Sequence, residues 1–234
     1  MIVLARAVHL DTVIPMWTRL VAGAAAHDIN NLAQGLYNLL SLGSSPGASE
    51  ETLTRYVSLA REGIKQLQEL GRDLRTLADN DASQGPQRLD LLCADALAEL
   101  APTLGRSVAL ARPPEPVVVL ARGPALRMTI QAVVRYALSS SVADSQVLVR
   151  IAPDGAGVVV IVDAPTATPP RTQDEKTLKD LMDGDDQALA SDAGLVLAGA
   201  ALWTCGGEVR AAPGPEGGIR FKLCLRRPGS RASS

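Results

Sequence analysis

A histidine, a carboxylate and an amide stand within one helical turn of each other near residue 30. Asp28 follows His27 directly, and Asn31 lies four residues after His27. A neutral imidazole is a good nitrogen nucleophile near pH 7, and a carboxylate can hold it in one tautomer. Residues four apart share a helix face, which would bring the Asn31 amide beside the ring. This spacing indicates nucleophilic chemistry at His27, although a plain histidine on a solvated helix face gives the same local pattern.

The apolar residues that follow His27 predict that its ring points away from the protein core. They recur at steps of three and four, at Ile29, Leu32, Leu36 and Leu39. Such steps are typical of the buried face of a helix. His27 precedes Ile29 by two residues, and at roughly 100° per residue this turns its side chain about 200° away from the buried face.

Two long helices are predicted in the first third of the chain, one from near Asp11 to Leu42 and one from Ser49 to Ala78. The Gly-Ser-Ser-Pro-Gly stretch at 43–47 separates them. Apolar positions of the second helix alternate by four and three, at Leu53, Val57, Ala60, Ile64, Leu67, Gly71, Leu74 and Ala78. That spacing requires helical partners, and we expect two hairpins to dimerise into a four-helix bundle. The alternative is that the hairpin packs on its own C-terminal domain.

Composition excludes several classes of function. Apolar residues make up 47% of the 234 residues and charged residues 21%, with a net charge of −2. No long Lys/Arg cluster is present, so nucleic acid is not an expected partner. No run of about 18 apolar residues occurs, and no membrane span is expected. Cys93, Cys205 and Cys224 are odd in number and far apart, which fits neither a disulfide framework nor a paired-cysteine zinc site and favours a cytoplasmic location.

A polar, turn-rich stretch at 80–86 separates two predicted domains. We expect a helical hairpin over 1–80, a second domain over 87–228 and a disordered tail over 229–234. The second domain is expected to repeat the order helix, strand, strand three times. Residues 164–190, before the third helix, are expected to be irregular. The order predicts an α+β chain whose second half is an α/β sandwich, a mixed sheet with helices on one face.

The His-Asp-x-Asn-Asn string followed by an apolar helix resembles the H-box of two-component histidine kinases and of the related dimeric histidine phosphotransferases. The element order after residue 87 resembles the Bergerat-type ATP-binding domain of the same kinases, so that the resemblance covers nearly the whole chain. It implies that His27 is the phosphoacceptor. It also implies that Asp28 orients or activates the ring and that Asn31 positions phosphate or a water molecule.

The nucleotide motifs of that family are degenerate here. Tyr136, with Ala132 one turn before it, stands where the resemblance places asparagines. Asp163 keeps the aspartate of the Asp-x-Gly-x-Gly turn, but neither glycine follows it, and Gly194 is the one glycine left of the Gly-Leu-Gly-Leu turn. Glycine backbone amides approach phosphates closely, whereas Pro165 has no amide hydrogen to donate. We therefore expect a retained fold, a lost nucleotide site, and no metal or cofactor bound by this chain.

These features together resemble the dimeric histidine phosphotransferases of the ChpT type. The resemblance implies a phosphorelay component that passes phosphoryl groups between receiver-domain aspartates through His27, without ATP-dependent autokinase activity. Its expected partners are response-regulator receiver domains, which would supply Mg²⁺, and an upstream hybrid kinase. Two alternatives stay open. One is an active or phosphatase-biased histidine kinase with a divergent nucleotide site, and the other is a non-catalytic dimeric adaptor that docks a response regulator.

Overall fold

The computed structural model divides into two compact units. One consists of Met1–Arg75 with Ser191–Ala193, and the other of Thr76–Ala190 with Gly194–Ser234. The structure describes residues 2–43, 49–79, 83–104, 107–155, 157–166, 175–183 and 192–228. The predicted tail, 229–234, lies outside the described residues, and the predicted domain limits stay predictions.

The first unit is a helical hairpin of α1 (Ile2–Gly43) and α2 (Glu50–Ala78). The two helices meet at Gly63, where an added Cβ would lie 3.4 Å from Cδ2 of Leu36, an ordinary van der Waals distance. Ser49 caps α2, where its Oγ accepts a hydrogen bond of 3.2 Å from the amide of Thr52. The prediction that the first helix begins near Asp11 was wrong: the helix begins at Ile2 and continues through Pro15.

The second unit contains four helices and eight strands within the described residues. In chain order these are β1 (Gly85–Arg88), α3 (Leu89–Leu104), β2 (Val108–Ala111), β3 (Val118–Ala121), α4 (Gly123–Ser140), β4 (Val147–Asp154), β5 (Gly157–Ala164), β6 (Lys176–Thr177), α5 (Leu178–Asp183), α6 (Ala193–Thr204), β7 (Glu208–Pro213) and β8 (Ile219–Arg226). A six-stranded sheet has the order β2-β4-β5-β8-β7-β6, in which only β2 and β4 run parallel. Strands β1 and β3 form a separate antiparallel pair.

The two faces of the six-stranded sheet differ in chemistry. The inner face is apolar and buried, and it includes Val147, Val149, Val160, Val162, Phe221 and Leu223. Helix α4 packs against β4 and β5. The opposite face, which we call the open face, carries Arg150, Asp163, Arg220 and Lys222. Alternation along each strand produces this division, because successive side chains point to opposite sides of a sheet.

Helices α3, α4 and α6 form the helical side of the core. The Thr129 hydroxyl donates to the carbonyls of Ala125 in its own helix (2.9 Å) and of Ala198 in α6 (3.2 Å), which satisfies a fully buried polar group. Aliphatic side chains fill nearly all of the core, as the aromatic content of 3% requires. The predicted fold class, a helical hairpin followed by an α/β sandwich, is confirmed in these elements.

Three short elements were not predicted. Strand β1 was assigned in part to the linker, because Gly85 and Pro86 are weak strand formers. Strand β6 and helix α5 lie in the stretch 164–190 that was expected to be irregular, and for 176–183 that expectation was wrong. A two-residue strand gives no periodic signal, and β6 exists through its pairing with β7 at the sheet edge.

No helix in the described part of the chain is long and apolar enough to cross a membrane.

Candidate functional site

The imidazole of His27 lies on the exposed side of α1, with 56% of its side chain accessible to solvent. Asp28 Oδ1 is 3.3 Å from Nδ1 of the ring, and Asn31 Nδ2 is 3.2 Å from Nδ1 and 3.3 Å from Nε2. The Asp28 side chain is 31% exposed. The structure therefore brings together the three residues that the sequence singles out, on one solvent-facing surface of one helix.

The hydrogen-bond geometry assigns different roles to the two ring nitrogens. A carboxylate can only accept, so the contact with Asp28 favours the tautomer with its hydrogen on Nδ1, and the Asn31 Nδ2 donor, 3.3 Å from Nε2, matches a lone pair on that nitrogen. The lone pair is then on Nε2, which can attack an electrophile that approaches from solvent. Asp28 can also stabilise the positive charge that the ring acquires on attack. The Asn31 amide lies within reach of an oxygen on a group bound at Nε2.

Two amides continue the His27 surface, and the sequence analysis missed them. Gln34 and Asn38 are exposed, and Gln34 Nε2 donates to Asn38 Oδ1 at 3.0 Å. With His27 and Asn31 they form a series spaced by four, three and four residues, which places all four on one helix face. The spacing of these four polar residues is visible in the sequence, but a search restricted to apolar periodicity does not detect it.

The Asp163 carboxylate lies on the open face, where two arginines hold it. Arg150 Nη2 donates to Oδ2 at 2.6 Å, Arg220 Nε donates to Oδ1 at 2.6 Å, and Arg220 Nη2 donates to Oδ2 at 3.2 Å. Only 10% of the Asp163 side chain is exposed. Sequence reasoning did not identify this Arg150–Asp163–Arg220 clamp, because its members are far apart in the chain and meet only through strand register.

The other positions of the degenerate nucleotide motifs have packing roles. The Tyr136 ring meets the buried Phe221 edge-on, with centroids 5.7 Å apart and planes at 87°. Ala132, one turn earlier, is 4% exposed. Gly194 is half-buried at the start of α6. Ala167, at the second missing glycine, lies outside the described residues.

The described cysteines and potential metal ligands do not indicate a second reactive site. Burial raises the pKa of the Cys93 thiol to about 12 and that of Cys224 to about 11, so neither is a thiolate at neutral pH. Among the described side chains, no group of three or more His, Cys, Asp or Glu residues is arranged to hold a metal ion.

We predict that Asp163→Ala destabilises the protein by about 2 kcal/mol, because it leaves two arginines close together without their shared carboxylate. Equilibrium urea unfolding measures this loss. Glu175→Ala is the matched control: Glu175 also pairs with two cations of the open face, Lys222 and Arg210, but it is more exposed, and we expect a loss under about 1 kcal/mol. Equal losses for the two variants would contradict a structural role specific to Asp163.

Comparison with solved structures identifies the fold. The Acinetobacter baumannii histidine kinase AdeS is similar with a TM-score of 0.61 at 13% identity, over 87% of this chain and 98% of that chain. The ATP-binding domain of PrrB from Mycobacterium tuberculosis is similar with a TM-score of 0.50 at 20% identity, over 62% of this chain and 98% of that chain. These identities establish similarity of fold.

A third similar structure is full-length ShkA in complex with AMPPNP. Its TM-score is 0.56 at 18% identity, over 91% of this chain and 47% of that chain. No protein-family model matches the sequence, and no curated protein matches it. The chain thus has the fold of a histidine kinase, a helical hairpin followed by an ATPase-like α/β domain.

Proposed function

We propose that this protein, on its histidine-kinase fold, is a histidine phosphotransferase of a two-component phosphorelay, which accepts and returns phosphoryl groups through His27. Its partners are receiver domains that carry phosphoaspartate, one of them on an upstream hybrid kinase. Mg²⁺ belongs to the acidic pocket of the receiver. A phosphoaspartate is an activated acyl phosphate, so transfer requires little from this chain beyond a positioned nucleophile.

The observation that carries the proposal is the contrast between the two candidate chemical centres. The His27 side chain is 56% exposed, with Asp28 and Asn31 within 3.3 Å of its ring. At the degenerate nucleotide motifs, by contrast, the Asp163 carboxylate is held by Arg150 and Arg220, and Tyr136 packs on Phe221. This contrast supports the inference that the nucleotide site is lost and that the phosphoryl group comes from another protein.

The transfer step follows from the ring geometry. The Nε2 lone pair attacks phosphorus in line with the P–O bond to the receiver's aspartate, so that an N–P bond forms as the P–O bond breaks. The electron pair of that bond leaves on the aspartate carboxylate. The ring keeps its Nδ1 hydrogen and becomes cationic until that proton is lost to water. Asp28 stabilises this cation, Asn31 donates to a phosphoryl oxygen, and the return transfer reverses these steps.

We further propose that the hairpin forms a homodimer through an apolar seam. On α2, Leu53, Val57 and Ile64 belong to the predicted stripe and are 38%, 49% and 48% exposed. On α1, Ile29 and Leu40 are 42% and 67% exposed, and they lie roughly 200° and 220° around the helix from His27. A second hairpin on these residues would bury the seam and leave His27 open to a receiver.

A two-arm labelling assay tests the function. The purified protein is incubated with radiolabelled ATP and Mg²⁺ in one arm, and with pre-phosphorylated, labelled receiver domains freed of ATP in the other. We expect label only in the receiver arm. That label should be stable to alkali and lost in acid, as a phosphoramidate bond is.

The same assay separates the competing functions. Label from ATP alone would overturn the proposal and favour a kinase with a divergent site. Loss of label from the receiver as inorganic phosphate, with none on this chain, would favour a phosphatase in which Asn31 orients water. A receiver that binds but transfers nothing in either direction would favour an adaptor.

A further inference from the structure

The surface that continues from His27 along α1 carries no charge. Between Asp28 and Glu50 the sequence contains no Asp, Glu, Lys, Arg or His. Helix α2 is different, since acidic and basic residues occur along it from Glu50 to Arg75. The acidic and basic residues of the hairpin are thus absent from the C-terminal part of α1, although much of that part is exposed to solvent.

Three exposed amides line this uncharged surface on the His27 side. Asn31, Gln34 and Asn38, which we call the amide face, lie within roughly 40° of His27 around the helix, and Asn38 is about 16 Å from it along the axis. Leu42, 50% exposed, follows one turn later. Gln34 Nε2 donates to Asn38 Oδ1. Gln34 Oε1 can therefore accept a hydrogen bond from a partner protein, and Asn38 Nδ2 can donate one.

The amide face is separate from the apolar seam. The exposed Ile29 and Leu40 lie on the opposite side of α1, so a second copy of the hairpin on the seam leaves the amide face uncovered. A phosphoryl donor must bring phosphorus within about 3.5 Å of Nε2. A specific protein interface covers about 800 Å² per partner, a patch about 30 Å across. Toward the C-terminal end of α1, such a patch reaches Asn38.

We propose that the amide face is the docking surface for the protein that exchanges phosphoryl groups with His27, and that the matching surface of this partner is uncharged. The inference rests on the proposed function. A charged partner group placed here would lose its water without an opposite charge on α1 to replace it. Recognition therefore depends on amide hydrogen bonds and on apolar contact at Leu42, and association is not steered by ion pairs.

Salt dependence is the first test. With the receiver domain that labels the wild-type protein, we expect kcat/KM for transfer to change less than about threefold between about 0.05 M and 0.5 M NaCl at fixed Mg²⁺. Association steered by opposite charges falls steeply over this range. A decrease greater than about tenfold would overturn the proposal.

Two variants of opposite charge provide the second test. Asn38→Lys and Asn38→Glu should each lower kcat/KM at least tenfold, mainly through KM, because either charge is desolvated at the interface. Thr54→Lys and Thr54→Glu introduce the same charges at an exposed neutral position of α2 and should leave transfer within about twofold. Faster transfer for one Asn38 variant, or equal loss at Thr54, would contradict an uncharged docking surface.

Phosphoramidate, a small phosphoryl donor that needs no docking, separates this inference from the proposed function. We expect it to label His27 equally in the wild-type protein and in both Asn38 variants. If the receiver labels the wild-type protein but the Asn38 variants behave normally, the docking surface is wrong and the phosphotransferase function stands. If neither donor labels His27, the function itself fails and the inference fails with it.

Discussion

His27→Ala is expected to accept no label from a phosphorylated receiver, because it removes the nucleophile itself. His27→Gln should behave in the same way, since an amide retains hydrogen bonding but has no nucleophilic lone pair comparable with that of imidazole. The thiols of Cys93 and Cys224 cannot take over at pH 7, because burial raises their pKa values to about 12 and 11. Transfer time courses, quenched in alkali to preserve phosphohistidine, measure the loss.

Asp28→Asn tests the carboxylate beside the nucleophile, and its expected effect is smaller than that of His27→Ala. Its Oδ1 can still accept from Nδ1, but the negative charge that stabilises the cationic ring is lost. Because the His27–Asp28 contact is 3.3 Å long and partly exposed, we expect transfer to slow about tenfold rather than stop. Retained label in His27→Ala would place the phosphoacceptor elsewhere. A complete loss in Asp28→Asn would require a larger role for the carboxylate than orienting the ring and stabilising its positive charge.

Ile64→Lys is expected to convert the proposed dimer into a monomer. The substitution places an ammonium group without a counter-charge in the seam, and twofold symmetry places it there twice. At about 3 kcal/mol for each of the two copies, the association constant of the dimer would fall on the order of ten-thousandfold. Sedimentation equilibrium measures the change, as a fall from twice the 24.5 kDa chain mass to the mass of one chain.

Ser58→Lys is the matched control for the seam. Ser58 is exposed on the same helix. It lies about 100° around the axis from Val57 and about 120° from Ile64, so the added charge stays in water. It should leave the dimer unchanged, and Ile64→Val should do the same because it keeps the apolar contact. A dimer that survives Ile64→Lys would mean that the copies associate through another surface.

Local pattern was sufficient to predict much of the molecule. Steps of three and four residues predicted α1 and α2 and the outward orientation of His27, because helical geometry relates sequence spacing directly to position around the axis. Apolar strands separated by turns predicted the alternation of helices and strands in the second unit. The neutrality of the chain between Asp28 and Glu50 is also a property of the sequence by itself.

Tertiary structure alone decided the features that depend on residues distant in sequence. Asp163 matches a ligand-binding aspartate when the sequence is read as a motif, yet strand pairing places it against Arg150, 13 residues away, and Arg220, 57 residues away. The pairing of β6 with β7 likewise creates a strand too short to have a period. Periodicity reports on contacts within one element, whereas register between strands sets which charges meet, and no local pattern encodes that register.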